Sequence, residues 1–201
     1  MKKLLFFFAP LVIAASVSFT LADPLSIGSM MPKAEIKMKD VTGKMVSMKE
    51  VGRVNGTLVM FSCNTCPYVI KNQSRTVAIN DFALKMNVGV IVLNSNEAYR
   101  NQDDSYAAMQ AYAKDQKYNW NYVVDKNHEV ADAFGANRTP EVFLFNKEGK
   151  LVYHGAIDDN PSDANAITRQ HLKEAIKELA VGKDISVKES RSVGCSIKRQ
   201  K

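Results

Sequence analysis

The stretch Thr57-Leu58-Val59-Met60-Phe61-Ser62-Cys63-Asn64-Thr65-Cys66-Pro67 decides the fold. Its first five residues are a continuous apolar run, as a strand buried on both faces requires. The run leads straight into a Cys-x-x-Cys closed by proline, after which Val69, Ile70, Val77, Ala78, Phe82 and Met86 recur at roughly helical spacing. The spacing predicts a strand-to-helix junction carrying two thiols. A helix N-terminus has unpaired amide donors and a partial positive charge, and both stabilise a thiolate. Cys63 is expected at that terminus and Cys66 one turn along, close enough to close a disulfide. Pro67 costs little there, because a first-turn N–H has no intrahelical partner. One thiol of such a pair attacks a disulfide and the other resolves the mixed disulfide.

Outward from this stretch, Val88 to Leu93 reads as a second buried strand. Upstream, Ala34, Ile36 and Met38, then Val46 and Met48, alternate with polar residues around the turn Val41-Thr42-Gly43-Lys44, which predicts an N-terminal β-hairpin. Downstream, Asp103 and Asp104 read as caps for a helix carrying Met109, Tyr112 and Ala113. Val123 and Val124 fit a short strand or an extended link. Glu129 to Phe134 reads as a short helix stopped by Gly135. Glu141 to Phe145 and Lys150 to Ile157 flank a turn at Asn146 to Gly149. Ile167, Leu172, Ala175, Ile176 and Leu179 mark a last helix ending near Gly182. Strands alternating with helices predict an α/β domain, and the late hairpin makes its central sheet mixed, flanked by helices.

Composition agrees with a single folded domain. The chain has 201 residues, 46% hydrophobic and 24% charged, which excludes a disordered chain and a polytopic membrane protein. Lys2 and Lys3, an apolar run from Leu4 to about Ala15, and small residues leading to Ala22 describe a secretory signal peptide over 1–22. The expected organisation is therefore this segment, a domain over 23–182, and a tail over 183–201. The protein is expected to be exported, to the periplasm or beyond. The net charge of +6 resides largely in the tail, without interleaved aromatics, and gives no reason to expect nucleic acid as a partner. In an exported protein disulfides persist, so three cysteines need a specific explanation. A zinc site needs more ligands than two. The chain has no second Cys-x-x-Cys, and His128, His154 and His171 are scattered. No metal is expected, and the only redox group expected is a Cys63–Cys66 disulfide. An inert structural disulfide remains the plain alternative.

Thr139-Pro140, immediately before the Glu141 strand, adds a second signal. A cis X-Pro bond at a strand start would expose the backbone of Thr139 for pairing with an extended substrate.

These residues, in this order, resemble the thioredoxin-fold superfamily, in its redoxin and peroxiredoxin-like branch. The resemblance covers about Met31 to Gly182. It is carried by Phe61-Ser62-Cys63-Asn64-Thr65-Cys66-Pro67-Tyr68-Val69, Asn94-Ser95-Asn96-Glu97, Thr139-Pro140-Glu141-Val142-Phe143-Leu144-Phe145 and Tyr153-His154-Gly155-Ala156-Ile157-Asp158-Asp159. The tail Val193-Gly194-Cys195-Ser196-Ile197-Lys198 resembles that group's C-terminal signature. The resemblance implies a thioredoxin-like fold, Cys63 in the nucleophile position, Cys66 in the resolving one, and Thr139 and Pro140 against the active-site disulfide.

The departures are informative. Peroxiredoxins carry Pro-x-x-x-Thr-x-x-Cys, whereas Gly56 and Met60 stand at those distances before Cys63. Arg138 lies near where those enzymes hold an activating arginine. Thioredoxins place a buried Asp six residues before the nucleophile, where this chain has Thr57; Glu97 is the candidate substitute. Cys195 is a third thiol that could reach back to the pair, bridge to another chain, or stay free.

Three functions fit. The first is an exported thiol–disulfide oxidoreductase acting on protein thiols and disulfides. If it reduces, its electrons come from a membrane donor or another exported thiol protein. The second is a thiol peroxidase reducing hydroperoxides through Cys63, with Cys66 or Cys195 condensing with the sulfenic acid. The third is a copper metallochaperone holding Cu(I) on Cys63 and Cys66, with His154 or a methionine as a further ligand.

Overall fold

The structure, a computed structural model, describes residues 23–200. The expected signal peptide over 1–22 lies outside the described residues. Among these, no helix is long and apolar enough to cross a membrane.

Strands β1 (Met38–Asp40) and β2 (Met45–Val46) form the N-terminal hairpin. It is shorter than the alternation suggested. Ser47 caps a one-turn helix, α1 (Met48–Val51), in a capping box with Glu50, so Met48 is buried from a helix rather than from a strand. Next come β3 (Thr57–Ser62), α2 (Pro67–Lys85), β4 (Gly89–Asn94), α3 (Tyr106–Asp115), β5 (Asn121–Val124) and α4 (Glu129–Phe134). The short β6 (Arg138–Thr139) precedes β7 (Glu141–Phe145), β8 (Leu151–Gly155), α5 (His171–Ala180) and β9 (Cys195–Ser196). The seven-stranded sheet has the order β2-β1-β5-β4-β3-β7-β8. β3 pairs in parallel with β4 and antiparallel with β7, so the sheet is mixed, as expected. The Val123-Val124 segment is a true strand, parallel to β4.

The central strand explains the layers. Side chains alternate across a sheet, so the continuous apolar run of β3 feeds two cores. Leu58 and Met60 join Val90, Val92, Val142 and Leu144 under Ile79 and Ala83 of α2 and Leu172 and Ile176 of α5. Val59 and Phe61 join Ile91, Leu93 and Phe143 against Phe134 of α4. Phe61, Phe134 and Phe143 pack edge to face with centroids 5.1–5.7 Å apart.

Two helix readings change. On α2 the buried face runs through Val69, Asn72, Thr76, Ile79 and Ala83, while Ile70 is exposed. Asn72 can be buried because its amide donates to the carbonyls of Tyr68 and Pro161. Ser105, not Asp103 or Asp104, caps α3. Arg75 of α2 reaches the loop after β8, donating through Nη1 to both carboxylate oxygens of Asp158 at 2.8 and 2.7 Å.

The tail does not trail into solvent. Beyond α5 it runs back along the domain and ends as β9, which pairs antiparallel with β6 in a separate two-stranded sheet.

Candidate active site

The two thiols lie at the C-terminal end of β3, in the middle of the sheet. Helix α2 begins later than the sequence suggested. Cys66 is its N-cap, in extended conformation, and Pro67 opens the first turn. The helix terminus therefore belongs to Cys66, and Cys63 stands three residues before it on the loop. Pro67 fixes this start, since the residue before a proline is disfavoured in helical conformation. Both thiols are free and buried, with Cys63 1% and Cys66 5% exposed, and they cluster with Val69, Tyr68 and Cys195.

Thr139 faces both sulphurs. Its hydroxyl lies 3.6 Å from Cys63 Sγ, and its carbonyl oxygen accepts from the Cys66 thiol at 3.3 Å. The Thr139–Pro140 peptide bond is cis. The segment is braced from behind by Glu141, whose carboxylate accepts from the amides of Asn137 and Arg138 at 2.8 and 2.9 Å and meets His154 Nε2 at 2.8 Å.

The loop between the cysteines is pinned by a buried polar cluster. The Asn64 amide donates to Asp104 Oδ1 at 2.9 Å, its side-chain amide donates to the Asp103 carbonyl, and its side-chain oxygen accepts from Tyr122 at 2.8 Å. Asp104 also accepts from Asn94 at 2.7 Å and from Asn96 at 2.8 Å. Sequence reasoning missed Asp104, because an Asp two positions before a helix reads as a cap. The signal available was the Asn94-Ser95-Asn96 run after β4, whose amides need a common acceptor if buried.

Electrostatics separate the two thiols. The Cys63 S–H hydrogen bond pushes the Cys66 thiol down to about 4, against the opposing effect of burial. The same shared proton pushes Cys63 up, with burial and the Asp104 charge acting in the same direction. The hydrogen bond between the sulphurs thus lets the pair give up one proton well below the ordinary thiol range and hold the second. Burial, then the neighbouring Cys66 sulphur, pushes the Cys195 thiol up.

The remaining candidates fall elsewhere. Glu97 Oε2 pairs with Arg100 and accepts from the Asn127 amide at 3.2 Å; its recorded contacts do not include the thiols. Arg138 is exposed and donates to the Gly194 carbonyl at 3.4 Å. His154, the further copper ligand considered, is held by Glu141 and stacks on Phe143 at 4.4 Å. Among the described residues no group of three or more His, Cys, Asp or Glu could hold a metal ion. The Thr139 edge, expected to await an extended substrate, is paired with Cys195 of the chain's own tail.

The comparisons agree with this fold. The family profile described as Redoxin matches residues 26–171. An uncharacterised conserved protein from Geobacillus kaustophilus is 30% identical, with a TM-score of 0.81 over 87% of this chain and 93% of its own. A hypothetical protein from Sinorhizobium meliloti is 28% identical, with a TM-score of 0.80 over 89% of this chain and 97% of its own. The thioredoxin domain of a thiol-disulfide oxidoreductase from Bacteroides vulgatus shares the fold at 22% identity and a TM-score of 0.52, over 65% of this chain and 88% of its own. No curated protein matches the chain.

Proposed function

The chain belongs to the Redoxin family, a thioredoxin-like redox family, and from that premise we propose that its Cys63–Cys66 pair exchanges disulfides with protein thiols. The observation that carries this reading is Thr139, placed against both sulphurs and immediately before a cis proline. The pair has little direct exposure to solvent, and the strand edge beside it pairs with an extended backbone, here that of β9.

The oxidising direction fits a compartment where disulfides persist, and the lowered thiol pKa of the reduced pair acts the same way. A substrate thiolate attacks the Cys63–Cys66 disulfide, forming a mixed disulfide and releasing one sulphur of the pair. The substrate's second thiol, losing its proton, then displaces the remaining sulphur. The substrate leaves with a disulfide and the pair is left as one thiol and one thiolate. An exported or membrane-bound disulfide donor must reload it. Export by the N-terminal segment would place this exchange where disulfides persist.

The test is to mix the oxidised protein with a reduced, unfolded protein dithiol and to follow transfer by mass. Transfer that is lost when Cys63 and Cys66 are both replaced by Ser supports the reading, whereas transfer that survives in this double variant overturns it. Reaction of the reduced protein with hydrogen peroxide far faster than a free thiol would turn the reading to a peroxidase. The exposed Arg138, turned toward Gly194, gives that alternative no support.

A further inference from the structure

The last turn of the chain lies on the redox pair, and the structure shows why it stays there. Upstream of β9, the His154 amide donates to the Lys188 carbonyl at 2.9 Å and the Ser190 amide to the His154 carbonyl at 3.0 Å. Ser190 Oγ meets the Tyr153 hydroxyl at 2.7 Å and accepts from the Ala156 amide at 2.9 Å. Downstream, Ile197 is buried in the second core and its amide donates to the Asn137 carbonyl at 3.1 Å. The Lys198 amide donates to Asn96 Oδ1 at 2.8 Å, and Arg199 bonds Asp132 and the Ala136 carbonyl at 2.8 and 2.7 Å.

Between these anchors the backbone passes hard against the site. A Cβ at Gly194 would stand 2.2 Å from the Thr139 carbonyl oxygen and 3.2 Å from Pro140 N, so no larger residue fits the present path. One residue later, Cys195 is in register with Thr139, and its side chain packs with Cys63, Cys66 and Val69. Cys195 is thus packed against the cluster that holds Cys66. Cys195 is also the most accessible of the three thiols, partly exposed where Cys63 and Cys66 are buried. The tail thus fills the strand edge where an extended substrate would pair, and it presents a thiol there.

We propose that Cys195 is a third catalytic thiol, which carries the disulfide from the buried pair to the surface. The proposal rests on the reading of Cys63 and Cys66 as a redox pair. The Cys195 thiolate attacks Cys66 Sγ of the Cys63–Cys66 disulfide. The Cys66–Cys195 bond forms, the Cys63–Cys66 bond breaks, and Cys63 leaves as the thiolate. One disulfide and one thiolate stand on each side, so no outside oxidant is needed. A substrate thiolate then attacks Cys195 at the partly exposed strand, releasing the Cys66 thiolate at the helix N-terminus. The substrate's second thiolate displaces Cys195 and closes the substrate disulfide.

Two measurements on the full chain test this. First, the Cys63→Ser protein is oxidised with glutathione disulfide and mapped by mass. A Cys66–Cys195 bond within one chain is expected; two free thiols, or only glutathione adducts and dimers, would overturn the proposal. Second, disulfide transfer from the oxidised protein to a reduced protein dithiol is timed for wild type, Cys195→Ser and Gly194→Ala. Transfer at least tenfold slower in both variants is expected, because one removes the relay thiol and the other moves it off the pair. Equal or faster transfer in Cys195→Ser would show the tail to be only a cover and would sink the relay. If wild type transfers nothing while Cys63→Ser still closes Cys66–Cys195, the bond is upheld and the activity reading fails instead.

Discussion

Cys66 and Thr139 meet across 73 residues of sequence in a single hydrogen bond, which the Cys66 thiol in its protonated form donates to the Thr139 carbonyl at 3.3 Å. The same threonine holds its hydroxyl 3.6 Å from Cys63, so one residue reads the protonation of both sulphurs. Replacing Thr139 by Val keeps the β-branched shape and removes the hydroxyl. The fold should persist, while disulfide transfer should slow by roughly fivefold, as expected for losing about 1 kcal/mol of hydrogen bonding. Stopped-flow transfer rates alongside circular dichroism would show both.

The charge on Cys66 gives a pH signature. With its pKa down to about 4, the thiolate is present above that value and is lost as pH falls through it, whereas an ordinary thiol is already protonated below about 8.5. Ultraviolet thiolate absorbance of the reduced protein should therefore survive into mildly acidic buffer. In Cys63→Ala the main cause of the shift is gone, and the midpoint should move up. An unmoved midpoint would assign the stabilisation to the helix terminus alone.

Asp104 collects three donors while holding the loop between the cysteines, so Asp104→Asn should cost about 1–3 kcal/mol of stability. It should also lower the Cys63 pKa, because the carboxylate is one of the causes raising it. Urea unfolding and thiol titration of the same variant separate the two effects.

Arg75 and Asp158 form a pair with side chains only 14% and 4% exposed. Removing one partner strands the other, so Arg75→Ala should lose about 3–5 kcal/mol. The thiol titration of the protein that remains folded should be unchanged. Chemical denaturation measures the first and ultraviolet titration the second.

The parts of this molecule that were legible in sequence are those written in local pattern. The run from Thr57 to Phe61 reads as a central strand, because Leu58 to Phe61 are apolar at every position and both faces must be covered. The Cys-x-x-Cys at its end marked the site, and Thr139-Pro140 marked its opposite wall. The helix start was misplaced because the motif suggests Cys63 while Pro67 moves the terminus to Cys66. Met48 was misassigned because a period-two pattern of two residues is also compatible with a capped helical turn. What was illegible was non-local. Nothing near Asp104 says that Asn64, forty residues earlier, needs its carboxylate. Nothing in the tail says that Cys195 pairs with Thr139, since a two-residue strand carries no periodicity; the sequence left open only that Cys195 could reach back to the pair.

The tail is fastened on both sides of Cys195, by Ser190 beside Gly155 and by Ile197 in the second core with the hydrogen bonds of Lys198 and Arg199. A thiol tethered in this way meets its neighbour at an effective concentration that freely diffusing thiols do not match. Small-molecule thiols in solution therefore compete poorly for the buried pair. A macromolecule that seeks it directly must bow a doubly clamped segment outward rather than peel back a loose end.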